Sequence, residues 1–296
     1  MRGMITALKL VLKEIVYTLM LILGVTALLF LFFNLMPGDF SGKGGGLPAF
    51  LDLLRGLFTF QFGISVVSGI DINAILFPAF RNTLVLTLGA IFISLVIAVP
   101  IGIFSAYRSF KGYSWPLTLF SYIVSSIPVF YFGYLVLFFV SRQTGFLPIF
   151  YPESSVGKYR ILSYVLPILV LGVGNDAVSE IVRLISSELG RVMSTDYVIA
   201  SRARGEYQLA SSINEGIAIP LVSIIFSKIP FLIGGAVIIE FVFNWPGMGR
   251  LAFQSTLDRD LPALIAIAFL SVLMVRAGMI LKSILLYIFN PGASRE

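Results

Sequence analysis

The sequence predicts an all-α integral membrane protein with six transmembrane helices and with both termini in the cytoplasm. The mean hydropathy of +0.97 and the 58% of hydrophobic residues among 296 exceed what a soluble domain can bury. Several apolar runs reach the ~20 residues that a helix needs to cross a bilayer. The net charge is +6, but the basic residues are spread over the loops between these runs. That distribution is typical of membrane orientation rather than of nucleic-acid binding.

Composition limits the chemistry that the chain can perform. It contains no Cys and no His, which excludes thiolate chemistry, disulfides and the commonest metal ligands and proton shuttles. An aspartyl dyad within the membrane would need two facing aspartates, and only Asp176 lies within a predicted span. The sequence therefore predicts that the protein is not an enzyme.

The first apolar run predicts a transmembrane helix over 15–36 that follows a cytoplasmic segment, 1–14. The run carries no charge and is too long for the apolar region of a signal peptide, and Pro37 ends it. An external loop over 37–82 comes next. Its leucines between 51 and 58 predict a helix that lies on the membrane surface, either against a partner or against lipid alone.

The remaining spans belong to a five-helix core that is predicted over 83–289 and is followed by a cytoplasmic tail, 290–296. Asn82 or Thr83 is expected to cap the first helix of this core, because short polar side chains can accept from the free N–H groups there. The spans predicted within the core are 83–106, 115–140, 161–185, 221–243 and 263–289.

Several predicted spans contain proline, and one of these prolines marks a candidate pathway position. Pro128 removes a backbone hydrogen bond and should kink the span over 115–140. Such a kink is tolerated where the freed carbonyl meets protein or water. It places Pro128 and Phe130 beside a watery pathway, or it serves helix packing alone.

Charged residues inside the spans also mark candidate pathway positions. Asp176, Glu180 and Arg183 share one helical stripe at spacings of four and seven residues, and charges within a span usually face the helix bundle. Arg276 lies near the middle of the last span and needs a partner or water. Because Asp176 lies at a comparable depth, we expect an Asp176–Arg276 ion pair, in which reversing both charges restores what either single change loses.

A polar segment over 194–220 lies between two apolar runs. It predicts a helix over Ala200–Arg204, a turn at Gly205 and a second short helix over Leu209–Ile217 that ends before Pro220. Such a helix–turn–helix should lie at the membrane surface. There it meets a soluble partner or only lipid head groups.

The orientation follows from the charges at the N-terminus. Six spans place both termini on one side, and Arg2, Lys9 and Lys13 precede the first acidic residue, Glu14. The excess of basic residues on that side is small over the whole chain, but long loops count for little. The N-terminus and the segment 194–220 are therefore predicted to be cytoplasmic.

The stretch over 240–262 contains closely spaced Pro and Gly residues after an apolar run. It predicts the end of a span, a tight turn at 245–247, a short external helix and a new span that begins with Pro262.

Several motifs resemble the dipeptide, oligopeptide and nickel permease family of ABC importers. DYVIASRARG, over 196–205, is similar to the segment before the glycine in the EAA-type coupling loop of these permeases. Shorter similarities are Pro-Gly-Asp at 37–39, Phe-Gly-x-Ser at 62–65, Ser-Ile-Pro-x-Phe-x-x-Gly at 126–133 and Gly-x-Leu-Pro at 145–148. The most specific is a Glu-x-x-Phe-x-x-Pro-Gly-x-Gly-x-Leu run followed by Arg-Asp-x-Pro, here at Glu240, Phe243, Pro246, Gly247, Gly249, Leu251, Arg259, Asp260 and Pro262.

The resemblance implies the type I ABC importer permease fold, in the plasma or inner membrane, and half of a translocation pathway for peptides, nickel chelates or oligosaccharides. The implied partners are a second homologous permease, two cytoplasmic ATPase subunits and an external solute-binding protein, with lipid around the spans and no nucleic acid. The chain has no GxxxxGK[ST] phosphate loop. ATP and Mg are therefore expected on the ATPase subunits, and no cofactor is expected on this chain.

The resemblance also implies roles for individual residues. Coupling to the ATPase is expected at Asp196, Tyr197, Ala200, Ser201, Arg202, Ala203, Arg204 and Gly205. The external gate or turn comprises Glu240, Phe243, Pro246, Gly247, Gly249, Arg259 and Asp260. The positions assigned to the pathway or to its kink are Pro128, Phe130, Asp176 and Arg276.

Two stretches depart from the family pattern. The residues after Gly205 are nearly neutral where the family usually has a basic stretch, and Asn-Pro at 290–291 stands near the C-terminus where the family usually finishes with Asp-Pro-Arg. The alternative function is a secondary transporter or channel that works alone and couples ions through its intramembrane charges. No inverted repeat is evident to favour it.

Overall fold

The computed structural model describes residues 2–35, 46–109, 116, 119, 123, 126–149, 158–174, 176–205 and 209–289. Within these ranges the chain is helical apart from turns and an antiparallel bridge between Ile64 and Asp71, as the predicted all-α class requires. The helices are α1 (Arg2–Asn34), α2 (Leu47–Thr59), α3 (Ile72–Ser109), α4 (Val129–Thr144), α5 (Lys158–Gly174), α6 (Ala177–Met193), α7 (Asp196–Ala203), α8 (Leu209–Val242), α9 (Met248–Leu257) and α10 (Leu261–Phe289).

Three of the described helices are long and apolar enough to cross a membrane, over Leu12–Asn34, Ile72–Ala106 and Leu261–Leu286. Two bent pairs of segments raise the number to five if each pair forms one span. One pair is Ile161–Gly174 with Ala177–Met193, bent by 49°, and the other is Pro220–Pro230 with Ile233–Val242, bent by 52°.

The predicted count of six spans depends on residues outside the described ranges. Most of 115–125, the first half of the third predicted span, lies outside them, and α4 accounts for the second half. The predicted helix end at Pro37 and the tail 290–296 also lie outside the described residues.

The first helix begins earlier than the sequence predicted. α1 runs from Arg2 through the predicted cytoplasmic segment 1–14 without a break. Residues 4–14 contain neither proline nor glycine, so nothing in the local sequence stops the helix at the start of the apolar run.

The start of the second predicted span was also placed too late. α3 begins at Ile72, so Asn82 and Thr83 lie within the helix and do not cap it. Asp71 takes that role, because its Oδ1 accepts from the backbone N–H of Asn73 at 2.9 Å. The side chains of Asn82 and Thr83 are thereby left to make contacts elsewhere.

Pro128 does not kink a continuous helix. Its backbone is extended, with φ −55° and ψ 134°, and α4 starts at the next residue. The carbonyl of Pro128 accepts the backbone N–H of Phe132 at 3.0 Å. A proline is tolerated at a helix start, since the N–H that it lacks would have no partner there.

The second short helix predicted over Leu209–Ile217 is not separate. α8 runs from Leu209 through both Pro220 and Pro230 to Val242. The residue four positions before Pro220 is Gly216, which has no side chain to crowd the proline ring. The bend falls after Pro230 instead.

The chain divides into two compact units, one formed by 1–85 with 236–281 and the other by 86–235 with 282–296. In the first unit, aromatic rings pack the loop after α2 against α10. The ring centroid of Phe269 lies 5.7 Å from that of Phe60 and 6.0 Å from that of Phe62. In α2 itself, Leu57 is buried and Leu51 is exposed, so the predicted surface helix has one face on the protein.

In the second unit, small residues allow α3, α5 and α6 to approach closely. A Cβ on Gly172 would lie 2.8 Å from the carbonyl oxygen of Ala90, and one on Gly102 would lie 2.8 Å from the Cβ of Ile185. The hydroxyl of Ser94 donates to the carbonyl of Gly172 at 2.6 Å. Close contacts of this kind are the usual means of packing helices within a membrane.

Arg276 has a different partner from the predicted one. Its guanidinium pairs with the carboxylate of Glu14 in α1 and donates to the hydroxyl of Thr18 at 3.1 Å. The side chains of Arg276 and Glu14 are 14% and 23% exposed. The prediction of an Asp176–Arg276 pair was wrong because it considered only the predicted spans and treated Glu14 as part of a cytoplasmic segment.

The contribution of the Glu14–Arg276 ion pair to stability can be tested by mutation. Glu14→Gln should lower the free energy of unfolding by about 3 kcal/mol, the lower end of the range for breaking a buried pair, because it leaves the guanidinium without its counter-charge. The exchange of both charges, Glu14→Arg with Arg276→Glu, should recover much of the loss. Thermal unfolding of the protein in detergent measures both effects. Equal losses in the single and double variants would contradict the assignment.

Candidate functional site

The predicted turn, 245–247, lies between the end of α8 and the start of α9. The last residues of α8 are held by backbone hydrogen bonds from Phe243 to Ile239, at 2.9 Å, and from Trp245 to Glu240, at 2.8 Å. Asn244 has a φ of 55°, the left-handed conformation that commonly ends helices. The structure thus contains the turn and the short helix that the sequence predicted, and α10 begins at Leu261, one residue before Pro262.

The carboxylate of Glu240 is fully buried beneath this turn. It accepts the hydroxyl of Thr83 at 2.6 Å and the backbone N–H of Arg250 at 2.9 Å. The backbone N–H of Gly249 also donates to it. A glutamate of α8 therefore binds the free N–H groups in the first turn of α9.

This arrangement replaces an ordinary helix cap. Gly247 occupies the N-cap position of α9 and has no side chain to offer. The hydroxyl of Thr83 accepts the backbone N–H of Met248 at 2.8 Å, and the carbonyl of Gly247 accepts that of Leu251 at 3.1 Å. The first four N–H groups of α9 thus all have acceptors, and a carboxylate lies at the positive end of the helix dipole.

Two glycines make room for the carboxylate and for the helix. A Cβ on Gly247 would collide with the carboxylate of Glu240, and a Cβ on Gly249 would lie 2.6 Å from the Cα of Val237. Both positions must therefore lack a side chain for α9 to pack against the end of α8. This explains physically the spacing of Glu and Gly that the sequence analysis singled out.

The turn is also fastened to α3. The indole N–H of Trp245 donates to the carbonyl of Asn82 at 3.1 Å, and the side-chain amide of Asn82 donates to the carbonyl of Pro246 at 2.9 Å. Phe243 and Trp245 are buried. Sequence reasoning missed these roles of Asn82 and Thr83, although the two residues were already noted as polar residues at the edge of an apolar run.

A second buried carboxylate lies at the start of α10. Asp260 is 4% exposed and accepts the hydroxyl of Ser65. Its other oxygen is 3.4 Å from the backbone nitrogens of Val66 and Ala263. The neighbouring Arg259 is exposed and has a φ of 57°. Asp260 thus links the start of α10 to the loop that contains Ser65.

That loop, 60–73, is closed on itself. The backbone N–H of Ser65 donates to Ile70 at 2.9 Å, and that of Ile72 donates to Gly63 at 2.9 Å. The side chain of Asn73 reaches back to the carbonyl of Phe60 at 2.7 Å. The Phe-Gly-x-Ser and Arg-Asp-x-Pro motifs, distant in sequence, therefore meet through Ser65 and Asp260.

The helix predicted over Ala200–Arg204 is present and is longer than expected. α7 begins at Asp196, four residues before Ala200, and Gly205 forms the predicted turn with a φ of 75°. Asp196, Ile199, Ala200, Ala203 and Arg204 are exposed, whereas Val198 is buried. Tyr197 and Arg202 belong to α7, but the structure does not describe their side chains. Residues 206–208 also lie outside the described part of the protein.

The four predicted pathway positions have different surroundings. Pro128 and Phe130 lie at the start of α4, and the ring of Phe130 is about half exposed. Asp176 is exposed at the break before α6. Arg276 belongs to the first unit and pairs with Glu14. An ion pair that the sequence analysis did not propose joins Glu180 to Lys228.

The apolar helices of membrane-crossing length are typical of a multi-pass membrane protein. Residues 98–295 match the family described as "Binding-protein-dependent transport system inner membrane component". The chain belongs to this family and is a permease subunit of an ABC importer in the inner membrane. The match includes α7 and the turn before α9, whereas α1 and α2 precede it.

Individual relatives cover most of the chain. It is 28% identical over 310 residues to the oligopeptide transport system permease protein AppB of Bacillus subtilis, which covers 95% of this chain and 98% of the relative. It is 31% identical over 216 residues to a probable peptide ABC transporter permease protein of Sinorhizobium fredii, covering 71% and 67%. It is 26% identical over 237 residues to the metal-staphylopine import system permease protein CntB of Staphylococcus aureus, covering 79% and 70%.

The capping hydroxyl of Thr83 provides a test of this site. Thr83→Val keeps the shape of the side chain but leaves Glu240 and the N–H of Met248 each short of a partner. It should lower the free energy of unfolding by about 2 kcal/mol, as expected for unsatisfied buried polar groups. Thr83→Ser retains the hydroxyl and is the matched control. Equal thermal stability of the two variants would show that the hydroxyl does not hold α9.

Proposed function

We propose that this chain forms one half of the translocation pathway of an ATP-driven importer for peptides or a similar solute. The observation that carries the proposal is the exposed helix α7, which ends in a left-handed turn at Gly205. An exposed helix between two apolar stems provides a surface for a soluble partner. The names of the relatives, which include an oligopeptide and a peptide permease, favour peptides as the solute class.

The proposed assembly contains three kinds of protein partner and the surrounding lipid. A second homologous permease completes the pathway, two cytoplasmic ATPase subunits bind ATP and Mg, and an external solute-binding protein delivers the cargo. The chain lacks a phosphate loop, so nucleotide binding falls to the ATPase subunits. Lipid surrounds six spans of the type I permease fold, with both termini in the cytoplasm.

In the proposed mechanism the ATPase subunits grip the exposed side of α7. Their closure on ATP displaces Ala200–Gly205, and the spans on either side of this loop tilt. That tilt switches the pathway from inward to outward access. Affinity for the solute resides mainly in the external binding protein, so the permease chain needs no tight site of its own.

At the outer surface, α9 and the loop 60–73 provide a rigid platform for the binding protein. Their rigidity comes from the buried carboxylates of Glu240 and Asp260, which fix backbone N–H groups at two helix starts. A platform built this way transmits force between the docked protein and the spans without local unfolding.

A function as a lone ion-coupled transporter is not favoured. Of the intramembrane charges that it would use, Glu180 pairs with Lys228, and Arg276 pairs with Glu14. A charge that is held in an ion pair with another side chain is not free to bind a coupling ion.

Co-purification from a mild detergent tests the proposal, with identification of every bound protein. We expect an ATPase pair and a second permease. Gly205→Pro should abolish ATPase binding, because proline holds φ near −65° and the position requires 75°.

The matched control is Gly145→Pro, which creates the same conflict at a φ of 67° in the loop after α4. It should leave ATPase binding unchanged. Isolation of the chain as a homo-oligomer without ATPase would overturn the proposal, and equal loss of binding in both variants would remove α7 as the docking site.

A further inference from the structure

We propose that the Glu180–Lys228 ion pair ties together the two helical stems of the coupling loop, so that the stems move as one lever. The inference rests on the proposed function, because it assigns positioning roles to two residues within the same importer. One stem is α6, which leads into α7, and the other is the segment Pro220–Pro230 of α8, which follows the loop.

The pair lies in a place where a lysine is costly. The side chain of Lys228 is 10% exposed and lies within a candidate membrane span. That of Glu180 is 37% exposed and carries the opposite charge. Burying the ammonium group of Lys228 removes its hydration, and an ion pair that pays this cost is seldom more stable than apolar residues of the same volume. Stability alone therefore does not account for a charged pair here, whereas fixing the register of two helices does.

Both members lie beside a bend. Glu180 is in the first turn of α6, four residues after Asp176 at the break between α5 and α6. Lys228 is two residues before Pro230, the last residue of its segment. The two stems bend by 49° and 52° at these places. The ion pair thus joins the two stems at the ends that lie beside the bends.

Between the bends and the loop, the stems share one apolar core. Ile181, Ile185 and Leu189 of α6 are buried in the same cluster as Ile224 of α8. This packing holds the stems side by side, but apolar contacts alone permit helices to slide past each other by small steps. The ion pair adds a directional contact that fixes the axial register.

The ion pair determines how a displacement of α7 is passed on to the two stems. A push on α7 reaches both stems, and the tie makes them pivot about the two bends together. Without the tie, part of the displacement is lost as sliding of α6 along α8. The expected defect is therefore in the number of solute molecules transported per ATP hydrolysed, and not in ATP hydrolysis itself.

The first experiment compares paired variants in the complete importer, reconstituted in vesicles with its ATPase and binding protein. Glu180→Gln with Lys228→Met removes both charges and leaves neither unpaired. We expect assembly and ATP hydrolysis within twofold of the unmodified importer, with transport per ATP at least tenfold lower. The exchange Glu180→Lys with Lys228→Glu should restore at least half of the transport.

Each outcome of this experiment supports or overturns the proposed tie. Normal transport per ATP in the neutral pair would show that the charges only balance each other, and the proposal would be wrong. Failure of the neutral pair to assemble would make the contact purely structural and would also overturn it. Absence of an ATPase from the unmodified preparation would instead refute the proposed function.

A second experiment observes the tie directly. The chain contains no Cys, so in an importer assembled with cysteine-free partner subunits, spin labels on Ser187→Cys in α6 and Ser223→Cys in α8 report one defined distance. In the otherwise unmodified importer, the distance distribution should stay the same with ADP and with a non-hydrolysable ATP analogue. In the variant with Glu180→Gln and Lys228→Met, the distance distribution should broaden or shift between the two nucleotides. An unchanged distribution in the neutral pair would overturn the proposal.

Discussion

The carboxylate of Glu240 lies at the point where α8 ends, and the start of α9 depends on it. The turn between these helices contains a glycine at the N-cap position, so the first N–H groups of α9 have no local acceptor. Burying these groups without partners would cost several kcal/mol, and Glu240 with Thr83 satisfies them. The glycines on either side of Met248 follow from this arrangement, because a side chain at either position would collide with the carboxylate or with α8.

The sequence was most informative where a local physical rule decides the structure. The apolar runs, the turn at Gly205 and the short helix after the Pro-Gly pair all follow from hydropathy and from backbone preferences of individual residues. The boundaries at Asn82 and at Ile217 were wrong for different reasons, and the helix continues past Ile217 because Gly216 leaves room for the ring of Pro220. Helices continue through polar residues when the side chains find partners elsewhere in the fold, and no local pattern announces a partner such as Pro246 for Asn82.

Pairing of charges was the least predictable feature. Arg276 was correctly expected to need a partner, but depth within the predicted spans favoured Asp176 over Glu14. The true partner lies on a helix that extends beyond its apolar run. Likewise, Ser65 was noted only as part of a motif, although it binds Asp260 across nearly 200 residues of sequence. Such contacts depend on which helices become neighbours, and periodicity alone does not contain that information.

The two kinds of buried charge in this protein suit different tasks. Glu240 and Asp260 bind backbone N–H groups at helix starts, so they hold a fixed geometry that changes only if a helix end unfolds. Glu180 and Lys228 instead join side chains on two helices, and in the proposed lever this contact fixes the register of two stems that lie beside bends. The proposed mechanism needs both properties, because the platform for the binding protein keeps its shape while the spans change their tilt. The placement of backbone-bound carboxylates at the turns and of a side-chain pair beside the bends therefore matches the mechanical demands of transport.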